Sequence, residues 1–409
     1  MSKLTAPRGT FDILPEQASV RAGLERLARE LLESAGYGRI ETPSFEATEL
    51  FARGVGEATD IVQKEMYSFD DGGGRSLTLR PEGTAPVCRA YVQYGMHKLP
   101  APVRLYYISS FFRAERPQAG RYRQFWQLGI EALGSDDPAL DAEAIVLLAT
   151  ILGRLGVGGV RLRLSSLGSP ATRSAYREEL AAYLRANAER LAPVVRERIE
   201  LNPLRAFDSD DPGTREVMAG APRLLERLEA ADAEHFACVR DLLGRAGVEY
   251  EIDPTLVRGL DYYTRTLFEF TSDALGAQSG VAGGGRYDGL VEQLGGPPTP
   301  GIGWAAGIER IMLASGEHPL AAAPVDLYVA FEAARADAFE TLTAAREAGL
   351  AAQMELAGRS LKGQLRQAER LGARFFALVE GESVLLRDLR DGTEETVERG
   401  ALLDRLVAA

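Results

Sequence analysis

Two segments rich in aromatic and branched residues flank a polar stretch: 103–112 (VRLYYISSFF) and 124–134 (QFWQLGIEALG). Segments of this composition favour β-strands, and Pro117 and Gly120 between them indicate a turn. Together they predict an antiparallel hairpin, the local feature that most restricts the fold. Its loop is longer than a tight turn requires, and long loops are more often functional than decorative.

The predicted hairpin loop is basic although the chain is acidic. Between residues 104 and 125 there are five arginines and one acid, Glu115, in a chain of net charge −12. Arg113 and Glu115 are two positions apart, so they leave the same strand face. The loop is either a solvated tip with surface ion pairs or a cradle for a polyanion, because arginine can bind phosphate bidentately. In a cradle, Phe125 and Trp126 would offer a flat apolar surface to a purine.

Composition excludes several chemistries. The 409 residues suffice for two or three domains, yet they include only two cysteines, three histidines and four lysines. The sequence has no CxxC pair, HExxH motif or GxxxxGK[ST] loop, so we expect no disulfide framework, no metal held by the protein and no P-loop. Any catalysis is expected to use arginines, carboxylates, hydroxyls or groups on the substrates. No apolar run approaches 18 residues and no signal-like segment opens the chain, so we expect no membrane association and a cytoplasmic location.

Hydrophobic periodicity predicts the order of the elements. The sequence indicates a helix at 17–35, stopped by Gly36, and a buried helix at 141–155, ended by Gly156. It indicates a half-buried strand at 160–164, a charged helical stretch at 170–250 and another strand at 266–271. A glycine-rich turn feeding a helix follows at 278–296, and a small-residue strand feeding a helix at 299–315. A linker at 317–325 precedes alternating strands and helices. That alternation predicts a separate α/β domain of about 85 residues.

Two carboxylates stand in unusual settings. Glu82 lies between a proline and a glycine in LRPEGT. It is either a turn carboxylate or part of a loop that approaches a ligand closely. Glu131 lies in an apolar strand, where an unpaired carboxylate would be costly. Gln127 shares its sheet face, so both residues either pair with structural neighbours or face a polar ligand.

Further polar blocks lie in the second half of the chain. VRGLDYY (257–263) and GGGRYD (283–288) each crowd arginine, aspartate and tyrosine into a few positions. GIGWAAG has the spacing GxGxxxG after a poor strand, which argues against a dinucleotide-binding fold. Arg310 follows near a predicted helix start, where a basic side chain is unfavourable and suits an anionic ligand. A basic stripe, either solvated or facing an acidic partner, is predicted on one face of a later helix: Arg359, Lys362, Arg366, Arg370 and Arg374.

Together these blocks resemble the class II aminoacyl-tRNA synthetases, and most closely the histidyl-tRNA synthetases. GYGRIETPSFE, FRAERPQAGRYRQF and GIGWAAGIERI are similar to the three class motifs. LVRGLDYYTRT and GGGRYDGL are similar to blocks typical of the histidine enzymes, and LRPEGT and AGRSLKGQLRQAERLGA also match. The resemblance covers essentially the whole chain.

The resemblance implies an α+β fold. Residues 1–170 and 251–320 would form the class II catalytic domain, an antiparallel six-stranded sheet with flanking helices. Residues 171–250 would form a helical insertion, and 324–409 an α/β anticodon-binding domain. A homodimer is also implied, with the first class motif at its interface.

The resemblance also implies roles for individual residues. Arg113 and Arg258 would be catalytic, Arg258 by stabilising charge at the α-phosphate. The residues expected to bind ATP are Arg113, Glu115, Arg121, Phe125 and Arg310. The residues expected to bind histidine are Glu82, Thr84, Gln127, Glu131, Arg258, Tyr262, Tyr263 and Tyr287. The residues expected to contact tRNA are Arg116, Gln118, Arg123, Arg359, Lys362, Arg366 and Arg370.

The implied activity is the charging of tRNA(His). L-histidine would react with ATP, its outer phosphates bridged by Mg²⁺, to give histidyl-adenylate, and histidine would then pass to the 3′-terminal ribose of the tRNA. Two alternatives share the fold: a histidine-binding regulatory subunit of ATP phosphoribosyltransferase, and a non-catalytic tRNA-binding module. Such regulatory proteins typically lack the C-terminal domain and have eroded ATP motifs, whereas this chain keeps Arg113, Glu115, Arg258 and Arg310.

Overall fold

The computed structural model describes residues 4–56, 59–276, 279–316 and 325–407. The chain divides into two compact units near residue 320. The linker predicted at 317–325 lies outside the described residues apart from Val325, and so do the domain boundaries predicted at 1, 320, 324 and 409. Among the described residues, no helix is long and apolar enough to cross a membrane.

A large sheet forms the centre of the first unit. Its strands, in spatial order, are β1 (Gly38–Arg39), β5 (Val103–Phe112), β6 (Gln124–Leu133), β11 (Gly301–Gly307), β10 (Gly280–Arg286), β9 (Thr264–Ser272), β7 (Val160–Ser166) and β8 (Glu251–Ile252). The six central strands pair antiparallel, as predicted. The two short edge strands, β1 and β8, pair parallel and bring the sheet to eight strands instead of six.

Helices cover one face of this sheet. They are α1 (Pro15–Ser34), α4 (Pro138–Arg154), α8 (Ala230–Arg245) and α10 (Ile308–Ala314). Alternate residues of the central strands, such as Leu128, Ile130 and Trp304, join the helices in one apolar core. Because side chains alternate across a strand, the residues between them leave the opposite face of the sheet. That opposite face carries the candidate site.

The remaining elements of the first unit border the opposite face. A small antiparallel sheet is formed by β2 (Phe45–Ala47), β3 (Tyr67–Asp70) and β4 (Ser76–Leu79). The accompanying helices are α2 (Thr48–Val55), α3 (Thr84–Gln93) and α9 (Leu290–Gln293). Helices α5 (Pro170–Ala186), α6 (Pro193–Arg196) and α7 (Pro212–Ala219) lie in the stretch predicted to be a helical insertion.

The stretch 171–250 has no compact unit of its own. Helices α5 and α7 pack in a second apolar core that also holds Tyr262 and Tyr287. Helix α8 instead packs on α4 in the main core, where His235 Nε2 lies 2.9 Å from Asp141 Oδ2. The last third of the predicted insertion is therefore part of the sheet-covering layer.

The second unit is a five-stranded sheet with helices on both faces. Its strands, in spatial order, are β13 (Ala352–Met354), β12 (Leu327–Phe331), β14 (Phe375–Glu380), β15 (Ser383–Asp388) and β16 (Glu394–Glu398). Helices α11 (Arg335–Glu347) and α13 (Leu402–Val407) cover one face, and α12 (Leu361–Arg370) covers the other. The α/β alternation is confirmed, and β16 is an additional strand that its charged sequence did not indicate.

Candidate active site

An arginine-lined cavity of about 350 Å³ lies in the first unit, beside the hairpin loop between β5 and β6. The five residues predicted to bind ATP all line it: Arg113, Glu115, Arg121, Phe125 and Arg310. Arg258, Gln127, Glu269 and Glu309 also contribute to its wall. Four arginines drawn from three separate segments of the chain thus face one cavity, which is the geometry of a polyanion site.

Backbone carbonyls and carboxylates hold these arginines in place. Arg113 Nε donates to the carbonyl oxygen of Pro81 at 2.9 Å, and its guanidinium lies 5.4 Å from the centre of the Phe125 ring. Arg121 Nη1 donates to Glu115 Oε2 at 3.0 Å. Arg310 donates from Nε to the carbonyl of Gly120 at 3.2 Å and from Nη1 to the carbonyl of Gly280. Burial lowers the pKa of Arg310 from its ordinary value.

A buried polar cluster adjoins the cavity on the same sheet face. Thr84 Oγ1 donates to Glu131 Oε1 at 2.7 Å, and the Tyr287 hydroxyl donates to Glu131 Oε2 at 2.5 Å. Glu82 accepts hydrogen bonds from the backbone nitrogens of Thr84 at 2.8 Å and Ala85 at 2.9 Å. This explains its place before α3, because a carboxylate can satisfy the unpaired N–H groups of a helix start.

Two tyrosines complete the cluster. The Tyr262 hydroxyl donates to Glu82 Oε2 at 3.4 Å, and its ring lies 4.8 Å from that of Tyr263 and 5.8 Å from that of Tyr287. The structure therefore brings together the predicted histidine-binding residues Glu82, Thr84, Glu131, Tyr262, Tyr263 and Tyr287. Gln127 faces the cavity itself, and its amide oxygen is buried without a hydrogen-bond partner among the described residues.

Burial controls the ionisation of the cluster. Glu131 is 0% exposed, and desolvation raises its pKa to about 8, against the opposing effect of the hydrogen bonds from Tyr287 and Thr84. Burial also raises the pKa of Glu82, opposed by the two backbone donors. A carboxyl that is protonated at neutral pH can donate a hydrogen bond, and it becomes an acceptor when it loses the proton.

Glycines of the central strands make room for these side chains. A Cβ on Gly283 would lie 2.6 Å from Arg258 Nη2, and one on Gly285 would lie 2.9 Å from Tyr263 Cδ1. A Cβ on Gly303 would collide with the Glu131 carboxylate. The segment predicted to be a glycine-rich turn is therefore strand β10, and its glycines serve close packing instead of a turn.

The geometry corrects the expectation for Trp126, shows what Arg286 does, and confirms the strand predicted at GIGWAAG. Trp126 does not line the cavity, because it alternates with Phe125 to the helix-covered face, where the Arg21 guanidinium lies 4.3 Å from its ring centre. Arg286 of the GGGRYD block is fully buried and ion-paired with Asp141, so its role is structural. GIGWAAG is strand β11 in the centre of the sheet and has no nucleotide-binding turn.

The residues predicted to contact tRNA lie in both units. Arg116 and Gln118 are exposed on the hairpin loop. Arg123 is less free, because its Nε donates to the carbonyl of Glu115 and its Nη1 to that of Arg8, each at 3.3 Å. Its backbone nitrogen also donates to the carbonyl of Gly9 at 2.7 Å. Arg123 therefore fastens the N-terminal segment to the loop.

The basic stripe of the second unit is shorter than predicted. Helix α12 begins at Leu361 and ends at Arg370, so only Lys362, Arg366 and Arg370 lie on it, all exposed on one face. Arg359 precedes the helix and forms an ion pair with the buried Glu355 at 3.2 Å. Arg374 follows it, 4.6 Å from the ring centre of Phe375.

Glu269 and Tyr107 are among the site residues that the sequence analysis did not single out. Glu269 lies in the apolar strand β9, the same signal that singled out Glu131, and its Oε1 accepts from Arg258 Nη1 at 2.5 Å. Tyr107 stands opposite Gly129 in the hairpin, and Gly83 and Gly129 leave space for its ring. Strand register alone places Tyr107 there, so the sequence carried no comparable signal.

The site has the donors of a nucleotide pocket and no preformed metal centre. Within the described ranges, no group of three or more histidine, cysteine or acidic side chains could hold a metal ion. Glu115 and Glu269 face the cavity but are ion-paired with arginines. Such carboxylates fit Mg²⁺ that arrives with a nucleotide, because Mg²⁺ keeps several waters and is often held by one or two carboxylates plus substrate phosphates.

An antiparallel sheet of this order, in which a long hairpin faces a helix-borne arginine across one cavity, is the core of a class II aminoacyl-tRNA synthetase. The family model described as Histidyl-tRNA synthetase matches residues 9–311. The chain belongs to the histidyl-tRNA synthetase family.

Similar proteins agree with this assignment over nearly the full length of the chain. It is 47% identical over 412 residues to the histidine–tRNA ligase of Desulforudis audaxviator, covering 98% of each chain. It is 51% identical over 395 residues to that of Halorhodospira halophila, covering 94% of this chain and 92% of the other. The crystal structure of apo S. aureus histidyl-tRNA synthetase is 35% identical, with a TM-score of 0.83, over 99% of this chain and 100% of that one.

Proposed function

We propose that the protein is a histidine–tRNA ligase. It activates L-histidine with ATP and then transfers histidine to the 3′-terminal ribose of tRNA(His). The single observation that carries the proposal is the junction of two sites on one sheet face. Gln127 and Arg258 line the arginine-lined cavity. Gln127 shares its strand face with Glu131, and Arg258 lies near Tyr263, whose ring packs on Tyr262 of the buried cluster.

In the first step the histidine carboxylate attacks the α-phosphorus of ATP, and the bond to pyrophosphate breaks. This displacement forms and breaks only P–O bonds, so it needs alignment and charge neutralisation more than a covalent catalyst. Arg113 and Arg310 hold the phosphates, with Arg113 also beside the Phe125 ring on which adenine stacks. Arg258 neutralises charge at the α-phosphate. Glu115 and Glu269 would hold Mg²⁺ that enters with ATP, and the ion would supply further positive charge at the outer phosphates.

Specificity for histidine comes from the buried cluster. Glu131, Tyr263 and Tyr287 read the imidazole, while Glu82, Thr84, Tyr262 and Gln127 hold the amino and carboxylate groups. An amino acid without two ring nitrogens leaves these buried polar groups unpaired, and this penalty discriminates strongly. The unpartnered amide oxygen of Gln127 supports this assignment, since a buried polar atom without a partner is costly.

In the second step the tRNA acceptor end approaches the hairpin loop near Arg116, Gln118 and Arg123, and Arg359, Lys362, Arg366 and Arg370 face the anticodon arm. The enzyme acts as a homodimer in the cytoplasm, where its tRNA is used for protein synthesis. The support for the dimer is the family resemblance of the segment 36–46. Phosphate contacts by clustered basic residues explain how an acidic protein binds RNA.

The regulatory-subunit alternative shares the fold and would bind histidine without charging tRNA. It is disfavoured because four arginines and Glu115 face the cavity and the α/β second unit is present. The test is aminoacylation of a tRNA(His) transcript with labelled histidine, alongside a transcript for another amino acid. Charging of tRNA(His) alone is expected. Histidine binding without any charging would favour the regulatory role and overturn the proposal.

A further inference from the structure

An irregular loop, residues 253–263, carries several of the side chains that form the site. It connects β8 to β9 without helix or strand structure and holds Arg258, Tyr262 and Tyr263. Such a loop has no ladder of its own to fix these side chains. Its geometry must therefore come from contacts with neighbouring elements.

One such contact comes from helix α5, which opens the helical segment, residues 170–250. Arg173, in the first turn of α5, donates from Nη1 to the carbonyl of Asp261 at 2.5 Å and to the carbonyl of Tyr263 at 3.0 Å. Its Nη2 lies 3.5 Å from Asp261 Oδ1. The side chain is 15% exposed, so these bonds are largely shielded from water. A guanidinium can serve three acceptors at once because its donors form a rigid fork.

The two carbonyls that Arg173 binds lie on either side of Tyr262. That residue's hydroxyl donates to Glu82, and its ring packs edge-on against the Tyr287 ring. Tyr287 in turn donates to Glu131. The contacts thus run from the helical segment through the loop backbone to the cluster that holds histidine in the proposed function.

The position of Arg173 is poor for its own helix. A basic side chain in the first helical turn opposes the helix dipole, and burial lowers the pKa of Arg173. A residue placed only to stabilise α5 would not need a buried cation there. Its neighbour one turn later, Arg177, donates at 2.7 Å to the carbonyl of Leu201, within the helical segment itself.

We propose that Arg173 is a positioning residue for histidine binding, which fixes the backbone of residues 261–263 and thereby the tyrosines that contact the substrate. It touches no substrate itself. This inference rests on the proposed function, since it concerns the same histidine site.

The test compares Arg173→Ala, Arg173→Lys and the matched control Arg177→Ala in histidine-dependent ATP–pyrophosphate exchange. Loss of a charged group's hydrogen bonds to the loop is expected to raise the KM for histidine about tenfold or more. The KM for ATP should stay within about twofold, because the ATP-binding arginines lie on other segments. Arg173→Lys should give an intermediate KM for histidine, and Arg177→Ala should change neither constant.

Chemical rescue adds a readout that a purely structural role would not move. Guanidinium ion at tens of millimolar should lower the KM for histidine of Arg173→Ala, and urea at the same concentration should not. If Arg173→Ala does not fold, Arg173→Lys provides the test: its KM for histidine should rise while its KM for ATP stays nearly unchanged. An unchanged KM for histidine, or an equal rise in both constants, would overturn the proposal.

The proposed function can fail separately. A wild-type protein without exchange would overturn that function and leave the positioning role measurable. In that case histidine affinity from calorimetry takes the place of KM. Equal affinity of wild type and the folded Arg173 variant would overturn the positioning role.

Discussion

The guanidinium of Arg258 donates to the carboxylate of Glu269 in strand β9 at 2.5 Å. It also packs against Gly283 of the neighbouring strand β10, where a Cβ would lie 2.6 Å from Arg258 Nη2. Glu269 also accepts from Arg163 at 3.3 Å. Glu269 is thus shared between a cation that lines the cavity and one that does not. This pairing fixes the orientation of Arg258 before substrates arrive, which is how a preorganised charge contributes to catalysis.

Replacing Arg258 tests its catalytic role. Arg258→Ala should lower histidine-dependent ATP–pyrophosphate exchange by about 10²–10³-fold, the usual effect of removing one group that stabilises transition-state charge. The matched control is Arg163→Ala, which removes the other partner of Glu269 from outside the cavity and should keep most of the activity. Near-native exchange by Arg258→Ala would show that its catalytic role is wrong.

Two adjacent glycines should respond differently to a methyl group. Gly283→Ala places Cβ 2.6 Å from Arg258 Nη2, a movable side-chain end. We expect it to lower kcat while the melting temperature changes little. Gly284→Ala collides with the backbone oxygen of Gly303, which cannot move away. It should lower the melting temperature markedly, and the reverse pattern in thermal unfolding and exchange assays would contradict the close-packing explanation.

Glu131 should control histidine affinity. Glu131→Gln keeps the size of the side chain but removes its ability to ionise against an imidazole N–H. We expect the KM for histidine to rise about tenfold to a hundredfold, with the KM for ATP nearly unchanged. Unchanged histidine affinity in the exchange assay would show that Glu131 does not read the imidazole.

The raised pKa of Glu131 also predicts how stability depends on pH. With a pKa of about 8 in the folded state and an ordinary value near 4.5 when unfolded, the folded protein binds the extra proton between these values. Stability from this group is therefore full below about pH 4.5 and is lost as the pH rises to about 8. Glu131→Gln lacks this titration. The free energy of unfolding of the wild type, relative to that of Glu131→Gln, should therefore fall as the pH rises from 5 to 8.

The measurement is urea unfolding followed by tryptophan fluorescence at several pH values. Both tryptophans of the chain, Trp126 and Trp304, lie in the first unit, so the signal reports the unit that contains Glu131. The control Glu292→Gln changes an exposed carboxylate on α9 and should leave the pH dependence as in the wild type. If the free energies of unfolding of wild type and Glu131→Gln differ by the same amount at every pH from 5 to 8, the raised pKa is contradicted.

The three exposed cations of α12 should affect tRNA but not amino acid activation. Arg366→Glu with Arg370→Glu should raise the KM for tRNA(His) about tenfold or more and reduce its salt dependence, because fewer phosphates are neutralised. Exchange without tRNA should be unchanged. The control Arg335→Glu with Arg346→Glu makes the same charge change on α11. Parallel loss of charging and exchange in the α12 variant would mean that the stripe is structural.

Local patterns predicted those parts of the fold that depend on composition alone. The hairpin strands lie at Val103–Phe112 and Gln124–Leu133, nearly as predicted, because aromatic and branched residues favour strands wherever they pack. The first helix ends at Ser34, before Gly36 with a φ of 81°, a conformation that favours glycine. These signals are contained within a few neighbouring residues.

Elements that depend on partners elsewhere in the chain were harder to predict from the sequence. Four of the seven residues of strand β10 are glycines, and glycine disfavours strands unless another group must approach closely. That group is Arg258 or Tyr263, which no local pattern places there. The split of Phe125 and Trp126 to opposite faces follows from strand alternation, and their adjacency suggested one shared surface instead.

Amino acid-dependent ATP–pyrophosphate exchange tests the central claim most directly. The purified protein is given ATP, Mg²⁺, labelled pyrophosphate and each of the twenty amino acids in separate reactions. Exchange with histidine and background rates with the other nineteen are predicted. Absence of exchange with histidine, or equal exchange with a different amino acid, would contradict the proposal that the arginine-lined cavity binds ATP and the Glu131 cluster binds histidine.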